Sequence, residues 1–174
     1  IMGFDLYGES PKNKNGEYFR NNVWWWRPLW EYVSIECSDI ITKKDVEGGH
    51  FNDCHLITET KAKQIADRLL GLCKDGKPQA QQDLYEKDSK PKTKFNKMCD
   101  EAAKHLYDNI VDKQDGKITC PGDMKEHDPD NYERWSQLAS MGKIQFIQTN
   151  YPFDANNVKE FAEFCKDSGG FTIG

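Results

Sequence analysis

The densest group of chemically capable side chains lies between residues 17 and 30. Aromatic rings, guanidinium groups and side-chain amides occur together there: Tyr18, Arg20, Asn21, Asn22, Trp24, Trp25, Trp26 and Arg27. Rings can stack on a nucleobase, guanidinium groups bind phosphate oxygens in pairs, and amides hydrogen-bond to polar edges. Neighbouring side chains point in different directions on a strand or a helix, so three consecutive tryptophans cannot all enter one core. At least one ring is therefore expected at a surface, a cleft or an interface.

A second polar group lies between residues 50 and 55. His50, Asn52 and Asp53 could line the same pocket and hydrogen-bond to a ribose or a base. The alternative is a zinc site built from His50, Cys54 and His55, but structural zinc usually shows a closely spaced cysteine pair, which this chain lacks. A solvated loop before a helix is the third interpretation. We expect neither a metal nor a cofactor.

The sequence contains residues that could act in acid–base catalysis but no recognised catalytic motif. Glu17, Asp53 and Glu59 could act as acids or bases, although a chain with 29 acidic residues contains such groups by chance. The sequence has no nucleophile elbow, Walker loop, dinucleotide-binding glycine motif or zinc-protease motif. Gly48-Gly49 alone is a weak phosphate-loop signal. The sequence favours a non-catalytic protein and leaves an enzyme open.

Composition narrows the class of protein. The 174 residues are 37% hydrophobic and 12% aromatic, and the net charge is −5. This balance argues against a protein that binds duplex nucleic acid, which would carry a basic face. No apolar run approaches the ~18 residues of a membrane span, so we expect no membrane partner. The six cysteines are scattered and no signal peptide is evident, which favours a reduced, cytoplasmic protein.

The elements that position these groups can be predicted from periodicity. Alternation predicts a strand over 3–7, and Pro28 is well placed to begin a helix. Apolar stripes predict helices over 59–73, 95–110 and 155–167, with a shorter helix over 132–141. Strands are expected at 144–148 and 171–173, and loops at 38–57 and 112–131. We therefore predict one compact α+β domain over 1–174, with three to four helices, a few short strands and a variable insertion at about 77–130.

One segment also carries a family resemblance. Residues 16–30, GEYFRNNVWWWRPLW, resemble the signature of small, mostly uncharacterised proteins of phage and bacterial genomes. Residues 2–8, 52–73 and 151–171 resemble the same family, so the likeness covers roughly 1–73 and 148–174. By analogy with phage proteins that sequester nucleotide immune signals, the resemblance implies an anti-defence role in the host-cell cytosol.

Together these features predict a protein that binds a small nucleotide-type ligand without altering it. A tryptophan among residues 24–26 would stack on the base, and Arg20 and Arg27 would hold phosphates. The amide, imidazole and carboxylate groups of Asn21, Asn22, His50, Asn52 and Asp53 would contact the ribose or the base. The alternatives are a protein-interaction inhibitor of a host defence enzyme, or a hydrolase acting on the nucleotide signal. The sequence leaves the oligomeric state open, including a homo-oligomer.

Overall fold

The computed structural model describes residues 3–110, 113–143 and 151–174. Within those ranges the chain is α+β, with seven α-helices and a four-stranded antiparallel sheet. The prediction of three to four helices is therefore wrong. The chain divides into two compact units, residues 1–86 with 151–174, and residues 87–150. Every predicted site residue belongs to the first unit.

The helices are α1 (Val23–Glu36), α2 (Lys43–Gly48), α3 (Glu59–Lys74), α4 (Lys77–Asp108), α5 (Met124–His127), α6 (Pro129–Met141) and α7 (Ala155–Ser168). The strands are β1 (Gly3–Gly8), β2 (Tyr18–Asn22), β3 (His55–Ile57) and β4 (Phe171–Ile173). The strand order in the sheet is β2-β1-β4-β3, and every neighbouring pair is antiparallel. The chain thus returns from α7 to place β4 between the first and third strands.

Helix α1 begins five residues before the predicted start at Pro28. Asn22 caps it, since its Oδ1 accepts hydrogen bonds from the amides of Trp24 (3.0 Å) and Trp25 (3.2 Å). Pro28 lies inside the helix. It removes only the one hydrogen bond that its N–H would have donated to the Trp24 carbonyl. The tryptophans are consequently helical, with side chains that fan around the axis.

The remaining differences between prediction and structure lie in polar segments, which form helices and one strand. The predicted loop at 38–57 contains α2 and β3, and the predicted loop at 112–131 contains α5. The segment Lys77–Asp108 forms one helix through Pro91 because its Lys, Gln and Glu residues are good helix formers. Helices α3, α6 and α7 and strands β1 and β4 lie where periodicity predicts them. The predicted strand at 144–148 falls outside the described residues.

The first unit has its core on one face of the sheet. Phe4 and Leu6 of β1 are buried, as are Ile57 of β3 and Phe171 and Ile173 of β4. They pack with side chains from α1, α3 and α7 in a single apolar cluster. Because strand side chains alternate between faces, burial of these residues directs their neighbours to the other side. We call that other side the open face.

Two buried tryptophans join α1 to α2. The indole Nε1–H of Trp26 donates to the Gly49 carbonyl (2.7 Å), and that of Trp30 donates to the Val46 carbonyl (3.0 Å). Carbonyls in the last turn of a helix have no partner within the helix, so the indoles satisfy them. Gly49 packs against the Trp30 ring, where a Cβ would lie 2.0 Å from the indole. The Gly48-Gly49 pair therefore serves close packing.

The second unit holds residues 87–108 of α4 together with α5 and α6. Its buried side chains include Cys99, Ala103, Ile118 and Met124. Asp128 caps α6, because its Oδ1 accepts from the Asn131 amide. A carboxylate also organises the turn before α5, where Asp123 accepts from Thr119 and Cys120.

The glycine packing generates a stability prediction. Gly49→Ala should lower the free energy of unfolding by about 1–3 kcal/mol, because the added methyl group overpacks the Trp30 ring. Gly71→Ala is the matched control: Gly71 is exposed within α3, and a Cβ there meets nothing within 4 Å. That change should raise stability by up to about 1 kcal/mol through helix propensity. Urea denaturation measures the free energy of unfolding of both variants. Equal changes in the two variants would contradict the close packing of Gly49 against Trp30.

Candidate functional site

Three of the predicted site residues have structural roles. Trp26 is fully buried and stacks against Trp30 (centroids 5.3 Å apart), so a ligand at the surface cannot reach its ring. Asn21 is buried and donates from Nδ2 to Oδ1 of Asn157 on α7 (2.9 Å). Asn22 caps α1. These side chains hold the elements that carry the remaining candidates.

Tyr18 and Arg20 lie together on the open face. Their partners on β1 are Tyr7, directly opposite Tyr18, and Asp5, directly opposite Arg20. The rings of Tyr7 and Tyr18 are 5.3 Å apart, and the two residues are 53% and 45% exposed. Two half-exposed rings on paired strands offer an aromatic surface on a rigid sheet.

Asp5 positions both neighbours. Its Oδ1 accepts a hydrogen bond from the Tyr18 hydroxyl and lies 3.4 Å from Nε of Arg20. The hydrogen bond to the Asp5 carboxylate raises the pKa of Tyr18 above its ordinary value. Asp5 contacts the guanidinium through Nε. Among the described residues no hydrogen bond occupies the terminal nitrogens of Arg20, so a ligand can reach them.

Gly3 and Asn52 adjoin the group formed by Asp5, Tyr7, Tyr18 and Arg20. The guanidinium of Arg20 lies over Gly3, where a Cβ would be 3.4 Å from Nε and 3.5 Å from Nη2. The Asn52 side chain donates from Nδ2 to the Gly3 carbonyl (2.9 Å). Arg20 and Asn52, predicted from distant parts of the sequence, thus both lie against Gly3. His50 and Asp53 are exposed in the loop around Asn52. We call Asp5, Tyr7, Tyr18, Arg20 and Asn52 the sheet patch.

The other predicted residues form a second patch on α1. The Trp24 ring packs against Tyr151 (centroids 4.8 Å apart), and the guanidinium of Arg27 lies 5.7 Å from the Tyr151 ring centre. Arg27 Nη1 also donates to the Tyr151 hydroxyl (3.4 Å). Trp25 is 36% exposed. We call Trp24, Trp25, Arg27 and Tyr151 the helix patch; Trp24 and Arg27 already pack on Tyr151.

Sequence reasoning missed Asp5, Tyr7 and Tyr151 as site residues. The alternation of residues 3–7 places Asp5 and Tyr7 on the same side of a strand, which was the available signal. That strand's pairing with residues 18–22 is a register between segments and cannot be read from either one. Tyr151 is distant from α1 in sequence, and no local pattern links it to Trp24.

His55, one of the three residues considered as zinc ligands, binds a carboxylate instead. Nε2 of His55 lies 3.0 Å from Oδ1 of buried Asp45 and donates to it, since a carboxylate only accepts. Asp45 also accepts from Lys61 and from the amide (2.7 Å) and hydroxyl (2.8 Å) of Thr42. The cluster joins α2, β3 and α3. In the ranges that the structure describes, no group of three or more His, Cys, Asp or Glu side chains could hold a metal ion.

A separate surface depression of about 510 Å³ lies between α3 and the segment after α1. Its lining includes Asp39, Asp67, Arg68 and Asp75. Arg68 binds Asp39 through both terminal nitrogens (3.0 and 2.8 Å), so this cation of the depression is already paired. None of the predicted site residues lines it.

Comparison with protein-family models, with curated proteins and with solved structures finds no match for this chain. None of the helices within residues 3–110, 113–143 and 151–174 combines the length and apolar character that crossing a bilayer requires.

Asp45 generates a pH prediction. Burial would raise the pKa of Asp45, but the hydrogen bonds from Lys61, Thr42 and His55 outweigh that effect and hold it well below its usual range. The ionised carboxylate therefore stabilises the fold above the unfolded-state pKa of about 3.9, and this stabilisation is lost as the pH falls below it.

Asp45→Asn should be less stable than the natural protein at pH 6 but lose less stability on going to pH 3. Urea denaturation of both proteins at the two pH values measures how much stability each one loses. The other carboxylates are common to both proteins, so their contributions cancel. An equal loss in the two proteins would show that Asp45 does not carry this dependence.

Proposed function

We propose that this protein binds a small nucleotide-type ligand on the sheet patch and does not alter it. The base stacks on Tyr7 and Tyr18, and Arg20 contacts a phosphate. The observation that carries the proposal is the exposed pair of rings beside a guanidinium that Asp5 holds in place.

The chemistry of the patch suits the two ends of a nucleotide. Stacking of a base on an aromatic side chain contributes about 1–3 kcal/mol and requires an accessible ring face. The terminal nitrogens of an arginine match two phosphate oxygens. Because Asp5 anchors Nε and Tyr18 together, less side-chain entropy is lost when a ligand binds.

The helix patch supports a second candidate function. Tryptophan and arginine favour the energetically dominant positions of protein interfaces, and Trp25 and Arg27 are both exposed. Trp24 and Arg27 already pack on Tyr151, so the patch presents a formed surface to a partner. This arrangement favours an inhibitor that contacts a host defence enzyme as the alternative to nucleotide binding.

The biological setting of the proposal rests on the resemblance of residues 16–30 to proteins of phage genomes. In that setting the ligand is a host nucleotide immune signal in the cytosol, and binding withdraws the signal from its receptor. A non-catalytic protein can act in this way only if it is abundant and releases the ligand slowly.

One experiment separates these functions. The protein is incubated with ribonucleoside diphosphates, cyclic dinucleotides and cyclic ADP-ribose isomers, freed of unbound nucleotide, and then heated. Recovery of intact nucleotide supports sequestration, and recovery of an altered nucleotide indicates a hydrolase. Retention of none of these nucleotides contradicts the proposal and favours the interaction function.

Substitutions in the sheet patch and in the helix patch test which of the two surfaces binds the nucleotide. Tyr7→Ala and Tyr18→Ala should each weaken binding of a retained nucleotide by about fivefold to a hundredfold, because a stacking surface is lost. Tyr18→Phe keeps the ring and should bind within a few-fold of the natural protein. Isothermal titration calorimetry provides the dissociation constants.

Phe95→Ala is the matched control, since Phe95 is 43% exposed on α4, close to the exposure of Tyr18, and lies outside both patches. It should leave affinity unchanged. Normal affinity in both tyrosine variants, together with a large loss in Trp25→Ala, would move the site to the helix patch.

A further inference from the structure

We propose that Asp5 accepts a hydrogen bond from the 2′-hydroxyl of a ribose, so that the sheet patch selects ribonucleotides over 2′-deoxyribonucleotides. This inference rests on the proposed function and names the class of ligand that the site takes.

The order of groups along β1 matches the order of parts in a nucleotide. Tyr7, Asp5 and Gly3 occupy alternate positions of β1 and therefore lie on the same face of the strand. Successive positions on that face are about 6.6 Å apart. The guanidinium of Arg20 lies between Asp5 and Gly3. A base on Tyr7 and a phosphate on Arg20 therefore leave the sugar above Asp5.

The hydrogen bonds of Asp5 leave one oxygen for a ligand. Oδ1 accepts from the Tyr18 hydroxyl and faces Arg20, whereas among the described residues no donor hydrogen-bonds to Oδ2. A carboxylate has about four acceptor positions, and the Asp5 side chain is 31% exposed. An approaching donor can therefore reach Oδ2 from the open face.

Charge decides which ligand group meets this oxygen. A carboxylate repels phosphate, so beside the Arg20 terminal nitrogens it suits a neutral donor rather than an anion. The hydroxyls of a ribose are the donors in the middle of a nucleotide. Arg20 offsets the charge of Asp5, which lowers the cost of covering the carboxylate with a ligand.

The test compares matched pairs of probes: ADP with dADP, GDP with dGDP, CDP with dCDP and UDP with dUDP. For the natural protein we expect the ribonucleotide of any retained pair to bind at least about tenfold more tightly, as a hydrogen bond to a charged group implies. Asp5→Ala removes both carboxylate oxygens, so the side chain at this position can no longer hydrogen-bond to the sugar. It should bind both members of a pair equally.

Asp67→Asn removes an exposed carboxylate on α3 and should keep the ribose preference. Near-ultraviolet circular dichroism verifies that each variant is folded. Equal binding of the two members of a pair by the natural protein overturns this inference but leaves the proposed function standing. A preference that survives in Asp5→Ala also overturns it, because the discrimination then lies elsewhere. Retention of neither member overturns the proposed function itself.

Discussion

The two indole hydrogen bonds to α2 are the constraint on which the first unit depends. Trp26 and Trp30 bring the apolar rings of α1 into the core and satisfy two carbonyls at the end of α2. The Trp26 ring also stacks on Phe4 of β1 (5.4 Å) and meets Phe161 of α7 edge-on (5.8 Å). One side chain thus fixes which face of the sheet turns inward. Because a slip of one residue would reverse the faces of a strand, burial of Phe4 exposes Asp5 and Tyr7.

The open face is therefore a consequence of core packing as well as a candidate site. Its pairs across β1 and β2 place an aromatic surface next to an ion pair. The net charge of −5 argues against a broad basic surface, yet a single arginine held beside a carboxylate can still recognise a phosphate locally. A small ligand with one anionic end and one flat end suits such a site better than a long polyanion does.

Local patterns were enough to predict several elements and parts of the site. The apolar stripes of α3 and α7 and the alternation in β1 lie within single segments, so periodicity finds them. The sequence predicts the start of α1 too late because Pro28 resembles a first helical residue, whereas Asn22 provides the cap. Neither the ring pair nor the Asp5–Arg20 pair could be predicted, since both depend on strand register. The burial of Trp26 could not be predicted from the sequence either. A tryptophan ring can stack on a base, but packing against α2 places this ring in the core.

The central claim is that nucleotide binds the open face of the sheet. Nuclear magnetic resonance with ¹³C-labelled tyrosine and ¹⁵N-labelled tryptophan tests it directly during titration with ADP, GDP, CDP and UDP. The account predicts that ring signals of Tyr7 and Tyr18 shift and saturate together with at least one of these nucleotides, while the indole signals of Trp26 and Trp30 stay in place. Saturating shifts confined to Trp24, Trp25 and Tyr151, or no shifts with any of the four, would contradict it.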